Sequence, residues 1–166
     1  MNVKRLTRAA ILTAAALALF IVELQIPSPV PIPGVKLGLA NIITVVAMFL
    51  MSPADAFAIL LARILLGSMF AGQMMSLAYS LAGGMLCWCV MLLMRRIVTK
   101  KQIWVASVVG AIAHNVGQIT VAIIVTRTPE LTAYLPVLMV SGIIAGLFTG
   151  LAAQFAADKL GGRIKQ

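Results

Sequence analysis

Four polar side chains stand in stretches of sequence that are otherwise apolar, and their types could bind a small molecule. Arg63 carries a full positive charge near the middle of the apolar stretch 54–70, whereas His114, Asn115 and Gln118 fall within the apolar stretch 103–125. Burying such groups in an apolar environment is costly unless each has a partner. A guanidinium pairs well with a carboxylate or a phosphate, and imidazole and amide groups offer both donors and acceptors.

The sequence leaves two interpretations of these residues. Arg63 either pairs with Glu23 or binds an anionic or polar substrate. His114, Asn115 and Gln118 either line a substrate pocket or hydrogen-bond to neighbouring helices. His114 and Gln118 are one helical turn apart and therefore share a face, which favours the pocket.

Further residues could complete the pocket: Asn41 in the second predicted span, Gln73, Tyr79 and Ser80 in the fourth, and Lys36 just before the second. Lys36 either extends its ammonium group to the membrane interface or meets an anionic ligand that enters from outside. The predicted substrate has an anionic group, such as a carboxylate or a phosphate. The predicted substrate-binding residues are Lys36, Asn41, Arg63, Tyr79, His114, Asn115 and Gln118.

Motifs of catalysis are absent from the sequence. It contains no GxSxG, no HExxH and no P-loop, so it cannot use ATP through such a loop. The four acidic residues are scattered and cannot form the cluster that would hold Mg²⁺ for diphosphate chemistry. Cys87 and Cys89, two positions apart, are badly placed to share a metal on a helix. We therefore expect no enzymatic activity, no catalytic residue, no cofactor and no metal.

The elements that position these residues must be membrane-spanning helices. Hydrophobic residues make up 62% of the 166 residues and charged residues only 10%, far from the balance of a soluble domain. A span needs about 20 apolar residues, and the chain has room for six. We predict an all-α integral membrane protein with one transmembrane domain, 1–166, and six spans at 6–25, 37–51, 54–70, 73–94, 103–125 and 136–157.

The residues between the predicted spans also indicate where loops lie and where helices begin. Four prolines interrupt residues 26–35 and favour an extended, stiff loop. Ser52, Pro53 and Asp55 form a helix start, with Ser52 as the N-cap and Asp55 as the capping acid. The stretch 131–135 is predicted to be a short interfacial helix.

The formal net charge of +9 comes mainly from three basic clusters at the ends of predicted spans, which indicates topology and not nucleic-acid binding. Six spans bring all three clusters to one side, so both termini are predicted to be cytoplasmic. The clusters are Lys4, Arg5 and Arg8; Arg95, Arg96, Lys100 and Lys101; and Lys159, Arg163 and Lys165.

Small residues recur at four-residue spacing on the first and the last predicted span. Such stripes let another helix approach closely. We predict that the glycine stripe on the sixth span packs within the protein. The stripes are Ala10, Ala14 and Ala18, and Gly142, Gly146 and Gly150.

Several segments, in order along most of the chain, resemble the bacterial Gx transporter family, which is often labelled heptaprenyl diphosphate synthase component I. The segments are 33–41 (PGVKLGLAN), 63–68 (RILLGS), 79–84 (YSLAGG), 113–118 (AHNVGQ), 134–137 (YLPV) and 141–142 (SG).

That family is in turn similar to the substrate-binding S components of energy-coupling factor (ECF) transporters. The similarity implies a six-helix bundle with an outward-facing pocket and a lid between the first two helices, where the proline-rich segment lies. It also implies that Ala10, Ala14 and Ala18 dock on a transmembrane coupling (T) component driven by two cytoplasmic ATPases.

Three hypotheses about function follow. The first is an S component for a small, anionic molecule in the cytoplasmic membrane of a bacterium. The second is a membrane accessory subunit of heptaprenyl diphosphate or menaquinone biosynthesis, as the family label suggests. The third is a solitary transporter that works without ATPases.

Overall fold

The computed structural model describes residues 3–26, 38–71 and 74–164, and these residues form helices and no strand. Two short 3₁₀ helices, Lys100–Gln102 and Pro129–Tyr134, precede the last two α helices. The all-α fold class is therefore as predicted. The α helices are α1 (Val3–Gln25), α2 (Leu39–Leu50), α3 (Pro53–Ala71), α4 (Met74–Ile97), α5 (Ile103–Thr126) and α6 (Leu135–Ile164).

Five of these helices are long and apolar enough to cross a membrane, and α2 is the exception. Its 12 residues rise only about 18 Å at 1.5 Å per residue, less than the roughly 30 Å of hydrocarbon in a bilayer. The span was predicted over 37–51, and the structure shows α2 over Leu39–Leu50, with residue 37 outside the described residues. The predicted interfacial helix at 131–135 appears slightly earlier, as the 3₁₀ helix Pro129–Tyr134.

The start of α2 depends on an acid from another helix. Gly38, the N-cap residue, has a left-handed φ of 73° and supplies no side chain for capping. Glu23 at the end of α1 replaces it, because its carboxylate accepts hydrogen bonds from the backbone N–H groups of Gly38 (2.5 Å) and Leu39 (3.1 Å). A negative charge at a helix N-terminus is favourable for both the free N–H groups and the helix dipole.

The start of α3 is capped by its own sequence, as predicted. The backbone N–H of Asp55 donates to Oγ of Ser52 (3.2 Å), and that hydroxyl donates to the Asp55 carboxylate (2.8 Å). Arg5 of α1 adds an ion pair, with Nε 2.8 Å from the Asp55 carboxylate. This contact fixes the N-terminus of α1 beside the N-terminus of α3.

Contacts between helix ends bring the start of α3, the start of α5 and the C-terminal part of α6 together at one end of the bundle. At that end, the backbone N–H of Ile103 donates to the Gln154 side chain (3.0 Å), so the start of α5 meets the C-terminal part of α6. Trp88 of α4 donates to the Pro53 carbonyl (3.2 Å) at the start of α3. The main apolar core lies here and includes Met48, Ile59 and Met91.

Glycines bring α6 against α5. A Cβ added at Gly146 would lie 2.7 Å from Cα of Val108, and one added at Gly150 would lie 2.7 Å from Cα of Trp104. Real Cβ atoms do not approach backbone atoms so closely. The glycine stripe of α6 therefore lies in the α5–α6 contact.

Candidate functional site

A polar cavity of about 90 Å³ lies inside the bundle, and residues from all six α helices line it. One water needs on the order of 10–15 Å³ by this measure, so the cavity has room for about six to nine atoms of that size. Its polar lining is Glu23, Asn41, Arg63, Ser68, Ser80, His114, Asn115, Gln118, Ser141 and Thr149.

Arg63 places a buried positive charge on the wall of this cavity. The residue is only 8% exposed, and Nη2 donates a hydrogen bond of 3.1 Å to the side-chain oxygen of Asn41. Its Nε has no hydrogen-bond partner among the described residues. A neutral amide cannot balance the charge of a guanidinium, so an anion in the cavity would stabilise it.

Glu23 lines the same cavity but does not form an ion pair with Arg63. Within the described segments, the ion pair closer than 4.0 Å is that of Arg5 and Asp55 at the far end of α1. The Glu23 carboxylate is instead held by the N-terminus of α2. Of the two partners that the sequence allowed for Arg63, Glu23 is thus not within ion-pair distance in the described structure, and binding of a ligand stays a prediction.

His114 reaches the cavity because α4 has a glycine opposite it. A Cβ at Gly83 would lie 2.7 Å from the His114 carbonyl oxygen, 3.1 Å from Cε1 of its ring and 2.8 Å from Cγ of Gln118. Gly117 provides the reciprocal gap, since a Cβ there would lie 2.8 Å from the Ala82 carbonyl oxygen. The close contact of α4 and α5 at these two glycines therefore sets the position of the His114 ring.

Asn115 and Gln118 line the cavity in different ways. The Asn115 amide donates a hydrogen bond of 2.6 Å to the Leu138 carbonyl of α6, and a Cβ at Gly142 would lie 2.8 Å from its nitrogen. Asn115 thus connects α5 to α6. In the described part of the chain, no hydrogen bond engages the Gln118 amide, which lines the cavity and can bind a ligand.

A second, smaller cavity of about 20 Å³ adjoins the first and shares Asn41, Ala111, His114 and Thr149 with it. Ser107 and Thr149 form a buried hydrogen bond of 3.0 Å on its wall. The hydroxyl of Thr44 is buried there without a hydrogen-bond partner among the described residues. This space holds about one atom of water size.

Comparison with known proteins decides the family. The family model described as heptaprenyl diphosphate synthase component I matches residues 12–156. The chain belongs to this family. No curated protein and no solved structure matches it.

Five of the seven binding residues predicted from the sequence meet at the cavity. Lys36 and most of the proline-rich segment 26–35 lie outside the described residues, which omit 27–37. Tyr79 is half-buried on α4 and does not line the cavity, because the next residue, Ser80, takes that face. The five that meet are Asn41, Arg63, His114, Asn115 and Gln118.

Sequence reasoning missed several lining residues of this family member. Glu23 was expected near the outer interface or beside Arg63, and its role as the cap of α2 has no local sequence signal. Ser141 and Thr149 had a signal, since they lie eight positions apart with Ala145 halfway and so share one face of α6. Hydroxyl groups on that face of the glycine-bearing helix mark the side that meets the cavity.

The alanine stripe of α1 lies on the outside of the bundle. Ala10, Ala14 and Ala18 are all exposed, whereas Ala16 between them is completely buried. α1 packs mainly against α2 and α3. The stripe therefore forms an exposed strip along α1.

Proposed function

We propose that this chain is the membrane-embedded substrate-binding component of an ECF-type, ATP-driven uptake transporter for a small molecule with an anionic group. The observation that carries the proposal is the polar cavity inside an apolar bundle, with Arg63 on its wall and no carboxylate within ion-pair distance among the described residues. Polar groups at such depth are expensive and commonly mark a substrate site.

The size of the cavity supports a small, polar substrate. At about 90 Å³ the cavity is small for a heptaprenyl chain, and its walls carry hydroxyl, amide and imidazole groups. Pockets for apolar chains are lined mostly by apolar and aromatic side chains. A carboxylate or phosphate of modest size matches these walls better than an isoprenoid.

The proposed partners are a transmembrane coupling component and two cytoplasmic ATPases, in the cytoplasmic membrane of a bacterium. Exposed alanines on α1 support this part, since small residues allow the close helix contact that membrane association requires. The chain would supply neither catalysis nor ATP hydrolysis, because its sequence has no motif for either.

The second candidate is an accessory subunit of heptaprenyl diphosphate or menaquinone synthesis. The family description supports it, because "component I" names one part of an assembly. A solitary transporter is the third candidate and would import its substrate in cells that lack the ATPases.

Purifying the protein in mild detergent, from cells that express it at native level, tests which partner it binds. Recovery of a coupling protein with ATPases is expected, whereas recovery of a soluble, Asp-rich synthase would support the second candidate instead. Ala14→Leu should remove the coupling protein by filling the strip on α1. The matched control is Ala58→Leu, since Ala58 is an exposed alanine on α3. Equal recovery with both variants would contradict docking through the strip.

A further inference from the structure

Two side chains of opposite formal charge line the larger cavity, Glu23 from α1 and Arg63 from α3. Each is 8% exposed, so neither charge is solvated from the bulk. They do not form an ion pair with each other, since the ion pair within 4.0 Å in the described segments is Arg5–Asp55. The cavity wall thus presents a separated cation and anion.

The Glu23 carboxylate keeps hydrogen-bonding capacity for a ligand. A carboxylate has about four lone-pair sites, and the N–H groups of Gly38 and Leu39 use two of them. Those donors, at the positive end of α2, also stabilise its negative charge. A hydrogen-bond donor with positive charge is the best complement to the remaining sites.

Charge balance in the cavity favours a ligand that carries one negative and one positive group. With His114 neutral, the formal charges of Glu23 and Arg63 sum to zero. A ligand with a single anionic group would leave a net negative charge inside the bundle, where an unbalanced charge is costly. A ligand with an acid and an ammonium group would keep the site neutral.

We infer that the ligand is a small zwitterion whose acid group lies at Arg63 and whose ammonium group lies at Glu23. This inference rests on the proposed function, since it names the substrate class of the same cavity. The volume of about 90 Å³ sets the scale, with room for about six to nine atoms, the size of a compact amino acid. Gln118, Ser80 and Ser141 on the remaining wall would select the side chain.

Thermal unfolding of the purified full-length protein with a panel of the common amino acids tests this substrate class. At least one compact amino acid should raise the melting temperature, and its affinity is then compared with those of two relatives. For serine these are 3-hydroxypropionate, which lacks the amine, and ethanolamine, which lacks the carboxylate. Each relative should bind at least tenfold more weakly than the zwitterion.

A charge-neutral variant should reverse the preference. Glu23→Gln retains an acceptor for the α2 N-terminus but removes the negative charge, so it should favour the amine-free acid over the amino acid. Glu130→Gln is the matched control, because Glu130 is exposed on the 3₁₀ helix Pro129–Tyr134. Its ligand preference should equal that of the wild type. If Glu23→Gln does not fold, the three compounds on the wild type decide alone.

The inference is wrong if no amino acid binds, or if the amine-free acid binds the wild type as tightly as the amino acid. Tight binding of the amine-free acid would still agree with uptake of a small anion. Conversely, amino-acid selectivity without a coupling protein in the pull-down would overturn the coupled transporter and leave the zwitterion site intact.

Discussion

The side-chain oxygen of Asn41 accepts a hydrogen bond of 3.1 Å from Nη2 of Arg63, and this contact between α2 and α3 orients the guanidinium at the cavity wall. A neutral amide orients a cation without neutralising it. Under the proposed function, the pair holds Arg63 in position for an anionic group of the ligand.

Arg63→Gln should release the ligand without unfolding the protein. Loss of a hydrogen bond to a charged group costs about 1.5–3 kcal/mol, so affinity should fall roughly 10- to 100-fold. The melting temperature without ligand should change little, because the Gln amide can still donate to Asn41 and Arg63 has no ion pair within 4.0 Å among the described residues to lose. Native mass spectrometry of the retained small molecule measures the first effect and thermal unfolding the second.

Arg95→Gln is the control for that variant. Arg95 also has a buried nitrogen without a hydrogen-bond partner among the described residues, but it lies in the last turn of α4, away from the cavity. It should retain the ligand at the wild-type level. Unchanged retention in Arg63→Gln would remove Arg63 from the binding site.

Asn115→Ala and Gln118→Ala should affect different properties, stability and ligand affinity, although both residues are amides on α5. Asn115 donates to the Leu138 carbonyl, so its loss should destabilise the bundle by on the order of 1 kcal/mol. Gln118 has no such bond to the described residues, so its loss should lower ligand affinity with little change in stability. Both variants are measured by unfolding in mixed micelles and by ligand binding. Lost stability in Gln118→Ala together with lost affinity alone in Asn115→Ala would contradict this assignment.

Apolar composition and local helix-start signals were enough to predict most of the fold. Long apolar stretches predicted five full-length helices, and Ser52, Pro53 and Asp55 predicted the start of α3, because these signals are local in sequence. The length of α2 was not predictable, since Leu37 and Gly38 continue the apolar pattern. What starts this helix is Glu23 of α1, 15 positions away from Gly38.

Some of the cavity residues were predictable because their signal is also local in sequence. Arg63 and His114 stand out because polar groups are costly in apolar helices. Glu23 was noticed as a possible partner of Arg63, but its true partners are backbone groups, which have no sequence signature. Tyr79 and Ser80 are adjacent, and only packing of α4 on α5 decides which one faces the cavity.

Gly146→Ala should destabilise the α5–α6 contact. The new Cβ would lie 2.7 Å from Cα of Val108, and backbone cannot move aside as a flexible side chain can, so the cost should be about 1–3 kcal/mol. Ile144→Ala is the control, because Ile144 on the same helix is 64% exposed and should change stability little. Equal melting temperatures for the two variants would contradict the packing role of the glycine stripe.

Gly83→Ala should disturb the binding site through His114. The added methyl group would meet the His114 carbonyl oxygen at 2.7 Å and the ring at 3.1 Å, so α5 must move away from α4 and carry the ring with it. Both stability and ligand affinity should fall, stability by about 1–3 kcal/mol.

Gly84→Ala is the matched control for this effect. A Cβ there would meet Cδ1 of Ile64 at 2.8 Å, the far end of a flexible side chain that can turn aside. Its affinity for ligand should therefore stay within a few-fold of the wild type while Gly83→Ala loses at least tenfold, equivalent to about 1.4 kcal/mol. If the two adjacent variants lost affinity equally, the packing of Gly83 against His114 would not be what positions the ring.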